Sequence, residues 1–115
     1  MGGRAGVADL IQRGDVRWYR FAQPDKRRPV VVLTRDSIIP HLGAVTVAPV
    51  TTVVRDIPSE ALLAEGDGMP RACAVNLDHL QTVSRGKLEG LLTHLPARRM
   101  RQVRKALLFA LGFDD

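Results

Sequence analysis

The feature that most constrains the fold is a run of apolar, mostly β-branched residues at positions 29–34, PVVVLT. β-Branched side chains lose rotamer freedom in a helix and pack well on a pleated sheet, so the run predicts a buried strand. Two permanent cations, Arg27 and Arg28, come directly before it. They are either solvated charges at a strand end, or one of them is held at the rim of a pocket to meet an anion.

Several further segments have strand composition. They are residues 16–21, 44–50, 60–64 and 72–77, where Val, Ile, Leu, Ala and the aromatic residues concentrate. Residues 22–27, AQPDKR, form a polar loop, and residues 65–68, EGDG, form a turn. Pro49 cannot donate to a sheet ladder, so it predicts an edge or a bulge near the end of its strand.

Residues 96–111 have the clearest helical pattern. Pro96 suits a first-turn position, and Gly112 suits the residue just past the helix end. An apolar stripe at helical spacing should pack on the core; it consists of Met100, Val103, Leu107 and Leu111. The basic residues on the other faces, Arg98, Arg101 and Lys105, should lie in water. The leucines at positions 88, 91, 92 and 95 also have helical spacing, which favours a second helix, although Gly90 and Thr93 oppose it.

Many short strands followed by one helix indicate a mainly β (α+β) fold. Strands and helices do not alternate, so the pattern predicts a small antiparallel barrel or curled sheet with a C-terminal helix docked on it. The 115 residues suit one domain of ordinary size. We expect this domain to span residues 13–115 and to follow an N-terminal extension of residues 1–12.

Composition and charge restrict the function. Lys and Arg outnumber Asp and Glu by 17 to 12 and the isoelectric point is about 10.3, which favours an anionic partner: nucleic acid, an acidic peptide or an acidic membrane face. The single cysteine, Cys73, is predicted to be a small buried apolar residue. No phosphate loop, zinc spacing or nucleophile elbow occurs, so we expect neither a metal nor an organic cofactor. Without an apolar stretch that could span a membrane or lead secretion, we expect a cytoplasmic protein.

Two polar spots remain as a candidate site. One is Arg27-Arg28-Pro29, and the other is Pro49-Val50-Thr51-Thr52, followed by Arg55. Taken singly, each is most simply a polar strand end facing water. If the two strand ends converge, a guanidinium and a hydroxyl side by side can grip a phosphate group.

Four motifs in order carry a resemblance to a known family. The segments RGDVRWYRF, RRPVVVLTRD, VTVAPVTT and VNLDHLQTVS resemble the MazF/PemK family of toxin endoribonucleases, and the resemblance spans residues 13–113. It implies an SH3-like, CcdB-like barrel with a C-terminal helix, assembled as a homodimer. It also implies that residues 89–95 form a strand, against the helical spacing of their leucines.

The resemblance further implies a chemistry. The family cuts single-stranded RNA at short sequences without a metal, leaving a 2′,3′-cyclic phosphate and a 5′-hydroxyl, and its catalytic arginine and threonine fall on Arg28 and Thr51. The guanidinium of arginine stays protonated throughout the physiological pH range, so Arg28 should act as an electrostatic clamp before it acts as a base. The glutamate that some members carry in the first loop has no match here. The candidates for moving the proton are therefore Asp25, Asp78 and His79.

RNA contacts and a protein partner are implied as well. The candidate RNA-binding residues are Arg27, Thr52, Arg55 and Gln81, with Arg27 reading a flanking phosphate. Trp18 and Tyr19 could stack on bases, although for Trp18 core packing or a dimer interface is favoured. The partner is an antitoxin whose acidic, partly disordered tail fills the basic groove. The alternatives are a CcdB-like inhibitor of DNA gyrase that is not an enzyme, and a non-catalytic RNA-binding barrel.

Overall fold

The computed structural model describes residues 10–22 and 26–113. This part of the chain contains seven antiparallel strands and one α-helix. The strands are β1 (Asp15–Phe21), β2 (Lys26–Val32), β3 (Ala44–Thr51), β4 (Glu60–Leu63), β5 (Cys73–Asn76), β6 (Gln81–Ser84) and β7 (Leu91–His94), and the helix is α1 (Ala97–Leu111). The predicted mainly β fold, a curled antiparallel sheet with a C-terminal helix, is confirmed.

The sheet runs in the order β4-β5-β3-β2-β1-β7, and β6 also pairs with β3. Strand β3 changes partner along its length: residues 44–47 pair with β6, while Val50 and Thr51 pair with β5. Pro49 lies between these two partners and pairs with Val30 of β2 on the other side. Of the edge or bulge expected at Pro49, the edge strand is not observed: β3 is an interior strand, and Pro49 lies where its partner changes from β6 to β5, so the missing N–H costs no ladder hydrogen bond on that side.

The apolar run of β2 is buried on both faces. Val31 joins a core that includes Val16 and the helix residue Val103, whereas Val30 and Val32 join a second core on the opposite face. Successive strand residues point to opposite faces, so a strand between two cores needs a continuous apolar run. The position of β2 between two cores accounts for the apolar run at residues 29–34.

Strand β2 starts earlier than the apolar run predicts. It begins at Lys26 and ends at Val32, so Arg27 and Arg28 lie within the strand instead of before it. Pairing with β1 extends the strand outward, because Arg28 lies opposite Tyr19 and Arg27 opposite Arg20. Backbone hydrogen bonds therefore fix the position of both arginines along the sheet.

The helical prediction for residues 87–95 was wrong, and the strand implied by the family resemblance is correct. Strand β7 pairs with β1 at the end of the sheet, with His94 opposite Asp15. The leucines belong to different environments, since Leu95 is buried and Leu91 is exposed. Their spacing was helical by coincidence, because a short edge strand carries too few residues to show its period. Strand β6, over Gln81–Ser84, was not predicted.

Helix α1 packs on the first core through Val103 and Ala106. It starts one residue later than expected, with Pro96 at the N-cap, and ends at Leu111, followed by the C-cap Gly112, whose φ of 80° is left-handed. Most of the predicted apolar stripe faces the core, but Leu111 is 52% exposed. The predicted basic faces are in water, as the exposure of Arg98, Arg101 and Lys105 shows. Among the described residues, α1 included, no helix combines the length and the apolar character needed to cross a membrane.

Candidate active site

A basic cleft opens where β1, β2 and β3 meet the turn before β5. Its volume is about 620 Å³. Among the residues that the structure describes, four lining side chains are cationic (Lys26, Arg27, Arg28 and Arg71) and none is a carboxylate. The remaining lining residues are Trp18, Pro29, Val50, Thr51, Thr52, Val53, Met69, Pro70 and Cys73. A concave surface with this charge favours an anionic ligand.

A smaller side pocket of about 260 Å³ adjoins the cleft. It is lined by Arg28, Pro49, Thr51, Val53, Arg55, Glu60, Asn76 and His79. Arg28, Thr51 and Val53 line both cavities. The two predicted catalytic side chains therefore stand together at the junction of the cleft and the side pocket.

The sheet register explains why Arg28 and Thr51 meet. Val30 of β2 pairs with Pro49 of β3, and the same antiparallel register continued by two residues places Arg28 opposite Thr51. On its other side, Thr51 pairs with Ala74 of β5. Thr51 is thus held by β5 at the end of β3, which keeps its side chain in one place on the side of the arginine.

The loop after β3 is shaped by two side chains of the site. The Thr51 hydroxyl accepts a hydrogen bond from the Val53 backbone N–H at 3.0 Å, and its own hydrogen can still be donated. The buried Glu60 carboxylate accepts from the backbone N–H groups of Arg55 and Asp56 at 2.9 and 3.0 Å. Asp56 has a φ of 56°, so Glu60 holds the loop in a conformation that few residues adopt.

Trp18 lies in the cleft wall, half-buried, with the guanidinium carbon of Arg27 4.5 Å from its ring centroid. The core-packing interpretation of Trp18 was therefore wrong, and its place in a dimer interface stays a prediction. Arg27 also forms an ion pair with Glu89, with Nε 2.9 Å from Oε1. Tyr19, the second expected stacking residue, packs instead against the second core and meets Phe21 edge to face.

The candidates for proton transfer are in different positions. Asp25 lies outside the described residues. Asp78 accepts a hydrogen bond from the Ser59 hydroxyl at 2.6 Å and lines neither cavity. His79 lines the side pocket with Arg28 and Thr51, and its Nδ1 is 3.3 Å from the Asn76 amide nitrogen. Geometry therefore favours His79 over Asp78.

Three of the four predicted RNA-binding residues reach the site. Arg27 and Thr52 line the cleft, and Arg55 lines the side pocket. Gln81 is the first residue of β6, pairs with Val47 and lines neither cavity.

The sequence did not predict the cleft residues Lys26 and Arg71 or the side-pocket residue Asn76. Arg71 follows a Gly-Met-Pro turn, and a cation after a turn gives no sign of the surface that it faces.

Cys73 contributes a buried thiol to the cleft wall. Burial raises the pKa of this thiol, and the negative charge of Asp67 raises the pKa further. The group is therefore a neutral thiol at neutral pH, in keeping with the apolar role predicted for it.

Among the residues that the structure describes, no group of three or more His, Cys, Asp or Glu could hold a metal ion.

A curled antiparallel sheet with a C-terminal helix and a basic cleft defines this molecule as a small β-barrel protein with a positively charged concave surface. The sequence profile of the PemK-like, MazF-like toxins of type II toxin–antitoxin systems matches residues 12–111. The chain belongs to this family.

Individual proteins of this family are similar to the chain in sequence and in fold. The chain is 46% identical over 99 residues to a probable endoribonuclease MazF5 of Mycobacterium tuberculosis, covering 85% of this chain and 90% of that protein. Its fold is similar to that of the Mycobacterium tuberculosis toxin MazF-mt6, with a TM-score of 0.80, 32% identity and coverage of 88% of this chain and 99% of that one. It is also similar to a structure of MazE-MazF from Deinococcus radiodurans, with a TM-score of 0.76, 27% identity and coverage of 90% and 97%.

Proposed function

We propose that this chain is the toxin of a toxin–antitoxin pair and cleaves single-stranded RNA at short specific sequences. The observation that carries the proposal is the meeting of Arg28 and Thr51 at the junction of the cleft and the side pocket. Membership of the toxin family and the similarity to relatives named as endoribonucleases support it.

The nucleophile in this reaction belongs to the substrate. The RNA 2′-hydroxyl attacks the adjacent phosphorus, the bond from phosphorus to the 5′-oxygen breaks, and the products carry a 2′,3′-cyclic phosphate and a 5′-hydroxyl. The protein must therefore position the phosphate and stabilise the charge that develops on its non-bridging oxygens. Arg28 supplies a fixed positive charge and Thr51 a hydrogen-bond donor, both of which act more strongly on the transition state than on the ground state.

A proton must leave the 2′-hydroxyl and another must reach the departing 5′-oxygen. Arg28 does not release its proton at neutral pH, which leaves the transfer to another group. His79 lies in the side pocket beside the pair, and imidazole can both accept and donate a proton near neutral pH. We assign His79 this role ahead of Asp78, whose carboxylate is engaged by Ser59. Because the substrate supplies its own nucleophile, the step as proposed needs neither metal nor cofactor.

The proposal includes the protein's partners. The four cationic side chains of the cleft suit the acidic tail of a cognate antitoxin as well as they suit RNA, so an antitoxin tail in the cleft would exclude the substrate. We propose a homodimer, as the family resemblance implies. A toxin that cuts the RNA of its host works where that RNA is translated, so we place the protein in the cytoplasm.

Cleavage of a long single-stranded RNA in the presence of EDTA tests the proposal. Wild-type protein should cut at one short motif and leave cyclic-phosphate ends, and a 2′-deoxy substitution at the attacking position should abolish the cut. Folded protein that leaves the RNA intact would contradict the proposal. Inhibition of gyrase, or RNA binding without cleavage, would then replace it.

A further inference from the structure

Arg27 lies over the ring of Trp18 at the rim of the cleft. Its guanidinium carbon is 4.5 Å from the centre of the indole ring, and its Nε is paired with Glu89 at 2.9 Å. The guanidinium is therefore in contact with the ring on one side, and its Nε is occupied by a carboxylate. The Arg27 side chain is still 44% exposed.

Backbone hydrogen bonds fix all three members of this group. Trp18 lies opposite Pro29 in the pairing of β1 with β2, and Arg27, two residues along β2, has its side chain on the same face of the sheet. The backbone N–H of Glu89 donates to the carbonyl of Trp18 at 2.8 Å, and the N–H of Trp18 donates to the carbonyl of Gly90 at 3.2 Å. The carboxylate that holds Arg27 is thus anchored to the tryptophan that supports it.

This arrangement weakens the grip of Arg27 on a phosphate. Glu89 balances the charge of Arg27 and occupies the Nε of the guanidinium, so a bidentate contact through Nε is lost while the two Nη groups keep their donors. The side of the planar cation that faces away from Trp18 can also meet a ligand. Bases of single-stranded RNA stack on arginine planes as well as on aromatic rings.

We propose that Arg27 is a base-stacking platform that contributes to the sequence specificity of cleavage, with Trp18 supporting it from below and Glu89 fixing its orientation. The proposal rests on the proposed function. Arg28, the proposed ligand of the scissile phosphate, lines the same cleft as Arg27, so the stacked base belongs to a nucleotide flanking the cut. Arg27 thereby takes a role different from the phosphate contact that its charge alone suggests.

A double-mutant cycle between protein and RNA tests this assignment. The RNA is a short oligonucleotide that contains the cleavage motif, carries a 2′-deoxy group at the attacking position and has an abasic nucleotide at each motif position in turn. Trp18 is the only tryptophan, so its fluorescence reports binding at the platform itself. The protein variant is Arg27→Lys, which keeps the charge and removes the plane.

The platform predicts a loss of about tenfold in affinity when the base at one flanking position is removed, which is in the range typical of a lost base stack. Arg27→Lys should weaken binding of the intact RNA by a similar factor, and the two changes together should cost no more than either alone. Glu89→Gln should reduce the penalty of the same abasic position, because the guanidinium is then no longer fixed. Arg101→Lys, on the exposed face of α1, is the matched control and should leave the penalty unchanged.

Equal abasic penalties in wild type and Arg27→Lys at every position would overturn the platform, provided that both proteins show the same thermal unfolding. That result is distinct from a failure of the proposed function. Wild-type protein that cleaves RNA but shows no coupling contradicts the platform alone, whereas wild-type protein that cleaves no RNA contradicts the endoribonuclease.

Discussion

Two regions of the molecule use arginine in opposite ways. At the helix anchor, which consists of Asp67, Arg98 and Arg99, the carboxylate is buried, and the Nε of Arg99 lies 3.0 and 2.9 Å from its two oxygens. In the cleft, four cationic side chains lie together; Arg27 is paired with Glu89 at the rim, and among the described residues no carboxylate lines the cleft beside Arg28, Lys26 and Arg71. Charge that is balanced within the protein holds elements together, whereas charge left without a carboxylate in a cavity is available to a ligand.

The two regions are adjacent along the chain. Asp67 ends a single helical turn over Glu65–Asp67 and accepts from the backbone N–H of Ala64 at 2.8 Å, and the next residue, Gly68, has a φ of 95°. The Thr93 hydroxyl donates to the carbonyl of Asp67 at 2.9 Å, so a Cβ at position 68 would collide with Thr93. The anchor therefore fixes the start of the turn that carries Met69, Pro70 and Arg71 to the cleft wall.

The largest effect that separates the two regions should be the loss of cleavage on removing the Arg28 guanidinium from the cleft. Arg28→Ala should slow single-turnover RNA cleavage by roughly a thousandfold, because a preorganised charge at the developing oxyanions is lost. Its free energy of unfolding should change by less than about 0.5 kcal/mol, as for most exposed positions. Arg101→Ala is the control and should cleave at the wild-type rate. A large loss of stability in Arg28→Ala would show that the cleft arginine serves the fold.

The anchor should respond in the opposite way. Asp67→Asn keeps the side-chain volume but leaves Arg99 without its carboxylate, and we expect the free energy of unfolding to fall by roughly 3 kcal/mol. Urea denaturation measures this loss. Glu65→Gln, on the same helical turn but exposed, should change stability little. Cleavage by the folded fraction of Asp67→Asn should stay within about twofold of wild type, because the hydrogen bond from the Thr93 hydroxyl to the carbonyl of residue 67 still holds the turn that leads to the cleft. A tenfold loss would break the distinction between the regions.

The Thr51 hydroxyl should contribute less to the rate of cleavage than the Arg28 guanidinium. Thr51→Val keeps the shape of the side chain and removes the donor, so cleavage should slow by about tenfold to a hundredfold, the range of a hydrogen bond to a charged group. Thr51→Ser retains the hydroxyl and should restore most of the rate. Equal activity of the valine and serine variants would remove Thr51 from the chemistry.

The smallest effect should be the change in the stability contribution of Asp67 as the pH falls into the acid range. Burial alone would raise the pKa of Asp67, but the hydrogen bond from Arg99, the Ala64 N–H and the charges of Arg99 and Arg98 lower it below its ordinary value of 3.8. A lowered pKa contributes stability above the unfolded value, and that stability is lost as the pH falls through the folded value. The stability difference between wild type and Asp67→Asn should therefore be constant near neutral pH and shrink below about pH 4. A difference that grew in acid would contradict the assigned direction.

How far the sequence predicted the cleft depended on the kind of signal. The apolar run of β2 predicted a buried strand because burial between two cores needs that composition at every position. The roles of Arg28 and Thr51 came from the family resemblance, and the register of β2 with β3 brings the two residues together. Those roles remain predictions until variants are measured.

Other parts of the site had no sequence signal. Arg71 and Asn76 reach the cavities only through the folding of β4, β5 and the turns around them, over distances that local patterns do not encode. The stacking of Arg27 on Trp18 follows from a cross-strand register that composition cannot specify. The leucine spacing around β7 favoured a helix because four residues are too few to distinguish a period of two from one of 3.6, and only the family resemblance predicted the strand.

The most direct test of the central claim is a double-mutant cycle on Arg28 and Thr51, measured as single-turnover cleavage by Arg28→Ala, Thr51→Val and the combined variant. If both side chains stabilise the same phosphate in the transition state, the combined variant should be faster than the product of the two separate losses predicts, because residues that act as a unit are not additive. Losses that multiply independently, or a single variant that cleaves at the wild-type rate, would contradict a shared phosphate site.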